Sequence, residues 1–470
     1  MIFNTFEFLW LFPIIFALCW IVAKTEKEKI YPRIGNLLLV VLSYGLYIKY
    51  NPIYVLVLLG VTVISYFTGL GIERSACGKK KVVMAAGVAS AILPLLVFKY
   101  YNFLTTVLTD MLGNIGVSVG MQGLNLAMPL GISFFTFIAI GYVVDVYRGK
   151  VKAERSWWDY MLFVGFFPQI ASGPISKAAD LLPQIKAVRK FNYTQAVEGC
   201  KWLLWGMFMK VVVADNIGQQ VDLVYTSYQT RGGLDCLFIM LIYPIQMYGD
   251  FAGYSFMALG VGKLLGFNLV NNFRQPFFAK SITEFWGRWH ISLSTWLKDY
   301  VYISLGGNRC SKLKTYFNIL VTFLVSGLWH GANYTYLVWG GIHGLVQVVE
   351  KVTGWNKLNV SKVLMPIQII ITYLVFAVSM VFFRMPTLSD SMNVYTRIFS
   401  DYTFSSSGLN FVYLCILIVF LKDYGDAFNI KWLQPMENKH TVVRWSSYLI
   451  IMLMIAASGV FGGSFIYSGF

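Results

Sequence analysis

The chain has 470 residues, of which 57% are hydrophobic, 17% aromatic and only 13% charged, with a formal net charge of +16. A soluble domain could not cover that much apolar surface, and a mean hydropathy of +0.62 points to an integral membrane protein. The positive charge is divided among the connections between apolar runs. It therefore reads as a topology signal and gives no reason to infer nucleic-acid binding.

Crossing a bilayer as a helix takes about 20 apolar residues. Such runs are predicted near 8–23, 34–48, 54–72, 82–100, 126–146, 196–214, 237–259, 363–383, 409–421 and 445–461, with a broken pair within 316–349. The first run has no basic residues before it and no small-residue cleavage site after it, so it is read as a retained helix rather than a signal peptide. Lys24, Lys27, Lys29 and Arg33 follow the first span, Arg74 and Lys79 to Lys81 the third, and Arg148, Lys150, Lys152 and Arg155 the fifth. By the positive-inside rule these connections are cytoplasmic, and the N-terminus lies outside. The connection 102–125 contains no lysine or arginine, as an external loop should.

Two segments break the alternation. The stretch 157–175 is apolar but carries Pro168, Gly173 and Pro174 between basic flanks, which suits a re-entrant or interfacial segment. The stretch 273–314 holds Arg274, Lys280, Arg288, Lys298, Arg309, Lys312 and Lys314 among aromatics. It is too charged to cross lipid and is expected to lie along the cytoplasmic face, or dip into it, as amphipathic helices.

The next stretch, 316–349, is apolar but interrupted at Trp329–Asn333. As one helix it would be about 50 Å long, against a hydrocarbon core of about 30 Å. Two short helices meeting at Gly331 are therefore predicted, with His330 at the join and lining a cavity inside the bilayer, because non-helical backbone at that depth needs protein or water beside it. Six cysteines (Cys19, Cys77, Cys200, Cys236, Cys310 and Cys415) are scattered without metal or redox spacing, so neither a disulfide nor a zinc site is expected. No linker, low-complexity tract or short repeat divides the chain, which is read as one domain over 1–470.

Only four histidines occur, and two sit in tryptophan-rich apolar stretches, Phe285-Trp286-Gly287-Arg288-Trp289-His290 and Gly327-Leu328-Trp329-His330-Gly331-Ala332-Asn333. A membrane protein can avoid titratable groups, so buried imidazoles point to chemistry. Together with Asp250-Phe251-Ala252-Gly253-Tyr254-Ser255, the run Phe285 to Ser294, Leu305-Gly306-Gly307-Asn308-Arg309 and Trp339 to Gly344, these motifs resemble the membrane-bound O-acyltransferases, and among them the bacterial alginate O-acetyltransferase-like branch. The resemblance is dense over 248–344 and looser at 129–148, 166–177 and 210–216. It implies an all-α bundle of about 11–13 transmembrane helices, plus re-entrant and amphipathic helices, around a central tunnel. His330 matches the family's catalytic histidine and His290 its second one. At Phe256 the chain departs from the acidic residue of many alginate-type members and resembles the D-alanyl-transferring relatives, whereas the Leu-Gly-Gly-Asn-Arg stretch favours the acetyl branch.

Acyl transfer from a thioester to a hydroxyl needs a base and donors for the developing oxyanion. Burial favours the neutral imidazole, so His330 is the expected base. Gly331 would allow an unusual backbone conformation and close substrate approach, and Asn333 or the Trp329 N–H would hydrogen-bond the imidazole or the oxyanion. No serine or cysteine adjoins either histidine in a nucleophile motif, so direct transfer is expected rather than an acyl-enzyme. Arg288, Lys298 and Arg309 are candidates for donor phosphates, and positive-inside or headgroup contacts would explain them equally. Asp250 and Trp289 are read as supporting residues, His343 as a packing or turn residue and His440 as solvated.

The resulting expectation is a multi-pass enzyme of the bacterial plasma (inner) membrane. It would move an acetyl group from a cytoplasmic thioester, acetyl-coenzyme A, to a hydroxyl of an extracytoplasmic polysaccharide, directly or through an acetyltransferase-like partner protein. Neither a tightly bound cofactor nor a metal is expected. The alternatives are D-alanyl transfer from an acyl carrier protein to teichoic acid, or an acyl-group conduit without chemistry. One cavity lined by both imidazoles, open towards the cytoplasm and approached also from outside, is the structural expectation.

Overall fold

The computed structural model describes residues 3–25, 34–50, 52–117, 120, 122–170, 173–358, 361, 363–404 and 410–463. Lys27, Lys29 and Arg33 of the first basic connection, positions 118, 119 and 121 of the predicted external loop, and positions 171 and 172 of the predicted re-entrant segment lie outside the described residues. The first helices are α1 Phe6–Thr25, α2 Ile34–Tyr50, α3 Val55–Arg74, α4 Lys80–Asn114 and α5 Ile132–Tyr147. After α6 Trp157–Gly165 and α7 Ala178–Lys186 come α8 Tyr193–Met207 and α9 Asp215–Thr226, joined by a π-helical segment Phe208–Ala214, and then α10 Gly233–Leu264. Short helices α11 Ile282–Arg288 and α12 Ile291–Leu297 precede α13 Lys312–His330 and α14 Tyr334–Thr353. The chain continues through α15 Met365–Arg384, α16 Leu388–Ser400, α17 Asn410–Ala427 and α18 Thr441–Ser458. No strand occurs among the described residues.

Among the described residues six helices are long and apolar enough to cross a membrane, namely α1, α3, α4, α10, α15 and α18, and two shorter apolar helices accompany them, within α2 and at α5. The protein is an all-α integral membrane protein. Other predicted runs fold as helices that carry charge, such as Lys201, Lys210 and Asp215 along α8 to α9 and Lys422, Asp423 and Asp426 in α17.

One expectation is corrected. The predicted external loop 102–125 continues α4 as helix to Asn114, making a 35-residue run. Pro94 withdraws one backbone donor, and the helix widens into a π turn at Leu96–Tyr100 instead of stopping. The segment 273–314, expected along the cytoplasmic face or dipping into it, folds with its rings inward. Its Phe273, Phe277, Phe285, Trp286, Trp289, Leu293 and Trp296 are buried in the apolar core, while Arg274, Lys280, Lys298, Arg309, Lys312 and Lys314 are exposed, as are Ile303 and Leu313. Aromatic side chains of that size would forfeit too much burial at an interface.

At the centre runs α10, buried along most of its length. It packs on α8 where Gly206 meets the Gly253 backbone and Gly199 meets that of Gly260, and a methyl group at Gly206 would stand 2.6 Å from the Gly253 carbonyl oxygen. Small residues at such crossings let backbones approach and gain dispersion contact, which replaces the hydrophobic drive that lipid cannot supply. Asp250 of α10 is consumed by packing of another kind: Lys210 of the π segment pairs with it at 2.5 Å and with Asp215 at 2.6 Å.

Candidate active site

The helix pair predicted around Gly331 is present as α13 and α14, with His330 the last helical residue. Gly331 itself is extended (φ −164°, ψ 149°), a conformation open to any residue, so no unusual backbone is required. Sterics demand glycine instead, because a methyl group there would lie 2.0 to 2.7 Å from the Tyr336 ring. Asn333 caps α14, its Oδ1 accepting the Thr335 N–H at 3.1 Å while its Nδ2 donates to the Pro386 carbonyl at 2.8 Å. Its amide is thereby engaged in shaping the turn.

His290 is one of three described non-glycine residues with positive φ (44°) and is fully buried. Left-handed backbone costs a β-carbon-bearing residue roughly 1–2 kcal/mol, so its surroundings must hold it. Asn272, also fully buried, does this: its main-chain oxygen accepts the Ile291 N–H and its Oδ1 the Ser292 N–H, both at 3.0 Å. These are orphan donors at the start of α12. Sequence reasoning missed Asn272, although an amide inside an apolar stretch was the available signal.

The two imidazoles meet through one indole. The Trp329 ring centre lies 5.7 Å from that of His290 and 4.9 Å from that of His330. Phe251 closes on His290 edge-on at 4.5 Å, and Trp339 and Phe383 stand 5.0 and 5.2 Å from His330. The Trp329 Nε1–H and both His290 ring nitrogens are buried without a hydrogen-bond partner among the described residues. Buried polar atoms are ordinarily paired, so donors and acceptors converging here suit a bound polar group. His343, fully buried, meets the Trp339 ring edge-on at 5.0 Å and hydrogen-bonds Ser379 Oγ through Nε2 at 2.9 Å.

Two further contacts fix the end of α13. Tyr100 donates its hydroxyl to the Leu328 carbonyl at 2.7 Å, and the Lys99 ammonium donates to the Trp329 carbonyl at 2.5 Å. Both residues stand in a stretch read from sequence as a plain span, where a lysine so deep in an apolar run was the overlooked sign.

Among the candidate donor-binding residues, Arg288 pairs with Glu284 at 2.5 Å and donates to the Gln275 carbonyl at 3.3 Å. Arg309 is exposed. Lys298 lines a cavity of about 1070 Å³, with Lys312, Lys351 and Lys357 and no carboxylate among the described residues. From those lysines the cavity follows α13 past Thr315, Ile319 and Thr322 to Ser326, and touches Trp286 and Ile291. It ends one helical turn short of His330 and one residue from His290, so neither imidazole is in its lining, contrary to expectation. The packed rings of Trp286, Trp329 and Trp339 fill the space between. Trp289 stacks on Phe285 at 5.5 Å within the core. Among the described residues no group of three histidine, cysteine or acidic side chains could hold a metal ion.

The chain is thus an all-α membrane bundle that buries two imidazoles on one indole at a helix break, with a basic cavity leading towards them, and this is its candidate site. The chain matches the MBOAT, membrane-bound O-acyltransferase family, over residues 154–380. It is 39% identical to the probable alginate O-acetylase AlgI of Pseudomonas aeruginosa, over 87% of this chain and 77% of that protein. It is 31% identical to the peptidoglycan O-acetyltransferase of Helicobacter pylori, over 97% of this chain and 89% of the relative. A third relative, the teichoic acid D-alanyltransferase of Streptococcus thermophilus, is 31% identical over 50% of this chain and 59% of its own length. The chain belongs to the membrane-bound O-acyltransferase family and is an O-acyltransferase.

Proposed function

We propose that this enzyme transfers an acetyl group from acetyl-coenzyme A on the cytoplasmic side to a hydroxyl of an extracytoplasmic polysaccharide, directly or through a partner protein. The membrane would be the bacterial plasma membrane, with the N-terminus outside. The observation that carries the reading is the alignment of lysines, cavity and histidine along α13: from Lys312 to Ser326 the cavity climbs about 21 Å, and His330 follows one turn later. Four lysines with no carboxylate suit the phosphates of a nucleotide-linked thioester. The acetyl end of such a donor would lie at the Ser326 end of the cavity, separated from the histidines by the Trp286, Trp329 and Trp339 rings, which must part for transfer, while its charged end stays at the basic mouth.

In this reading the neutral His330 takes the proton of the acceptor hydroxyl as its oxygen attacks the thioester carbonyl, and returns it to the departing sulfur. The Trp329 N–H and a His290 ring nitrogen are the nearby buried groups able to hydrogen-bond the reacting oxygen atoms. Acetyl is preferred over D-alanyl because relatives named for acetyl transfer match along nearly the whole chain, whereas the D-alanyl relative matches half of it.

The test uses the full chain in proteoliposomes, with labelled acetyl-coenzyme A supplied on one side and acceptor on the other. His330→Ala should reduce transfer to background while insertion and thermal unfolding stay near wild type. Near-normal transfer by that variant would refute the base assignment. Label crossing without donor cleavage in the wild type would reveal a conduit.

A further inference from the structure

A cation deep in a membrane-spanning helix requires a partner or a task. Lys210 has partners in Asp215 and Asp250. Lys99 is different, because no carboxylate lies within ion-pair distance of it among the described residues. Its ammonium donates to the Trp329 carbonyl at 2.5 Å, approaches Ser133 Oγ at 3.5 Å and lies 5.7 Å from the centre of the Trp329 indole.

Closing the end of α13 does not call for a charge. Gly331 N–H takes the Gly327 carbonyl at 3.2 Å, and Tyr100 satisfies Leu328 with a neutral hydroxyl at 2.7 Å. A neutral donor at position 99 would complete the same closure without the cost of an unpaired ammonium at membrane depth. The meeting is also set by length. Lys99 stands 19 residues along α4 from Lys80, and Trp329 stands 17 along α13 from Lys312, rises of about 28 and 26 Å from two basic helix starts. The π turn Leu96–Tyr100 is where α4 turns two successive polar side chains onto two successive carbonyls of α13. His330 is the next residue, and Lys99 is among the charged groups within electrostatic reach of it.

We propose that the Lys99 ammonium belongs to the transfer site and stabilises the oxyanion of the acyl intermediate. The proposal rests on the reading of His330 as the base. When the acceptor oxygen bonds to the carbonyl carbon, its proton passes to His330 and the C=O π pair moves onto oxygen. When that pair returns, the C–S bond breaks and the sulfur leaves with the proton from His330. Negative charge sits on the carbonyl oxygen only between these steps, so a fixed cation beside it acts on the barrier rather than on donor binding.

Three substitutions separate charge from capping. Lys99→Gln keeps an N–H donor for the Trp329 carbonyl and loses the charge, Lys99→Met loses both, and Lys99→Arg keeps both. In purified full-length enzyme, Gln and Met should lower kcat by about 10²-fold, with donor KM within about twofold and thermal unfolding near wild type, while Arg stays within about tenfold of wild type. Should Met not fold, Gln retains the helix-closing hydrogen bond and carries the test. Near-wild-type turnover by Gln, an Arg variant as inactive as Gln, or losses that follow the folded fraction would each overturn the proposal. His330→Ala is measured alongside. Transfer surviving in it would remove the underlying reading, whereas an inactive His330→Ala with an active Lys99→Gln would sink the Lys99 assignment alone.

Discussion

Asn272 holds His290 in its left-handed conformation by capping, from a distant part of the chain, the helix that His290 begins, with its main-chain oxygen on Ile291 N–H and its Oδ1 on Ser292 N–H, both at 3.0 Å. The His290 ring is thus aimed by a residue 18 positions away in sequence. Asn272→Ala should cost about 1–2 kcal/mol of stability, the usual loss for a capping oxygen, and transfer should fall further than the folded fraction does. Asn272→Asp keeps the acceptor and should retain more activity than Ala. Thermal unfolding and turnover on the same preparations check this. Equal activity in both variants would show that the Oδ1 contact is dispensable.

Gly331→Ala should impair transfer without any demand on φ, because the new methyl group overlaps the Tyr336 ring. A second substitution, Tyr336→Ala, should recover part of the activity by opening that space. Failure of the double variant to exceed the single one would move the defect from sterics to the backbone.

The lysine-lined cavity makes a prediction about salt. Lys298→Ala combined with Lys312→Ala should raise KM for acetyl-coenzyme A several-fold with little change in kcat, and the difference should shrink as ionic strength rises. A short thioester without phosphates should not distinguish the variant from wild type. Arg288→Ala is expected to behave otherwise: its guanidinium is occupied by Glu284 and the Gln275 carbonyl, so thermal stability rather than donor KM should change, as in Glu284→Gln.

Removing one member of the Lys210–Asp250 pair leaves a buried charge uncompensated. Lys210→Met should therefore destabilise the protein strongly, by about 3–5 kcal/mol, seen as lost folded yield. Adding Asp250→Asn should restore part of the loss, since it neutralises one orphaned carboxylate. A double variant less stable than Lys210→Met would contradict the pairing.

Much of the molecule was legible in the chain itself. Apolar runs locate most of the long helices because the bilayer imposes a length and a composition on each, and the overlong stretch 316–349 required a break, which falls at Gly331. The rarity of histidine singled out His290 and His330 before any contact was known. Tertiary structure alone decided the rest. Of the two placements open to the charged, aromatic segment 273–314, along the face or dipping into it, the fold takes the one that buries its rings while most of its charges still reach the edge. The external loop became helix, because Pro94 is absorbed by a π turn. Asn272, Lys99 and Tyr100 act on residues 18 to 230 positions away. Periodicity and composition report what each segment must bury, whereas which carbonyl receives which donor depends on helices that become neighbours only when the bundle closes.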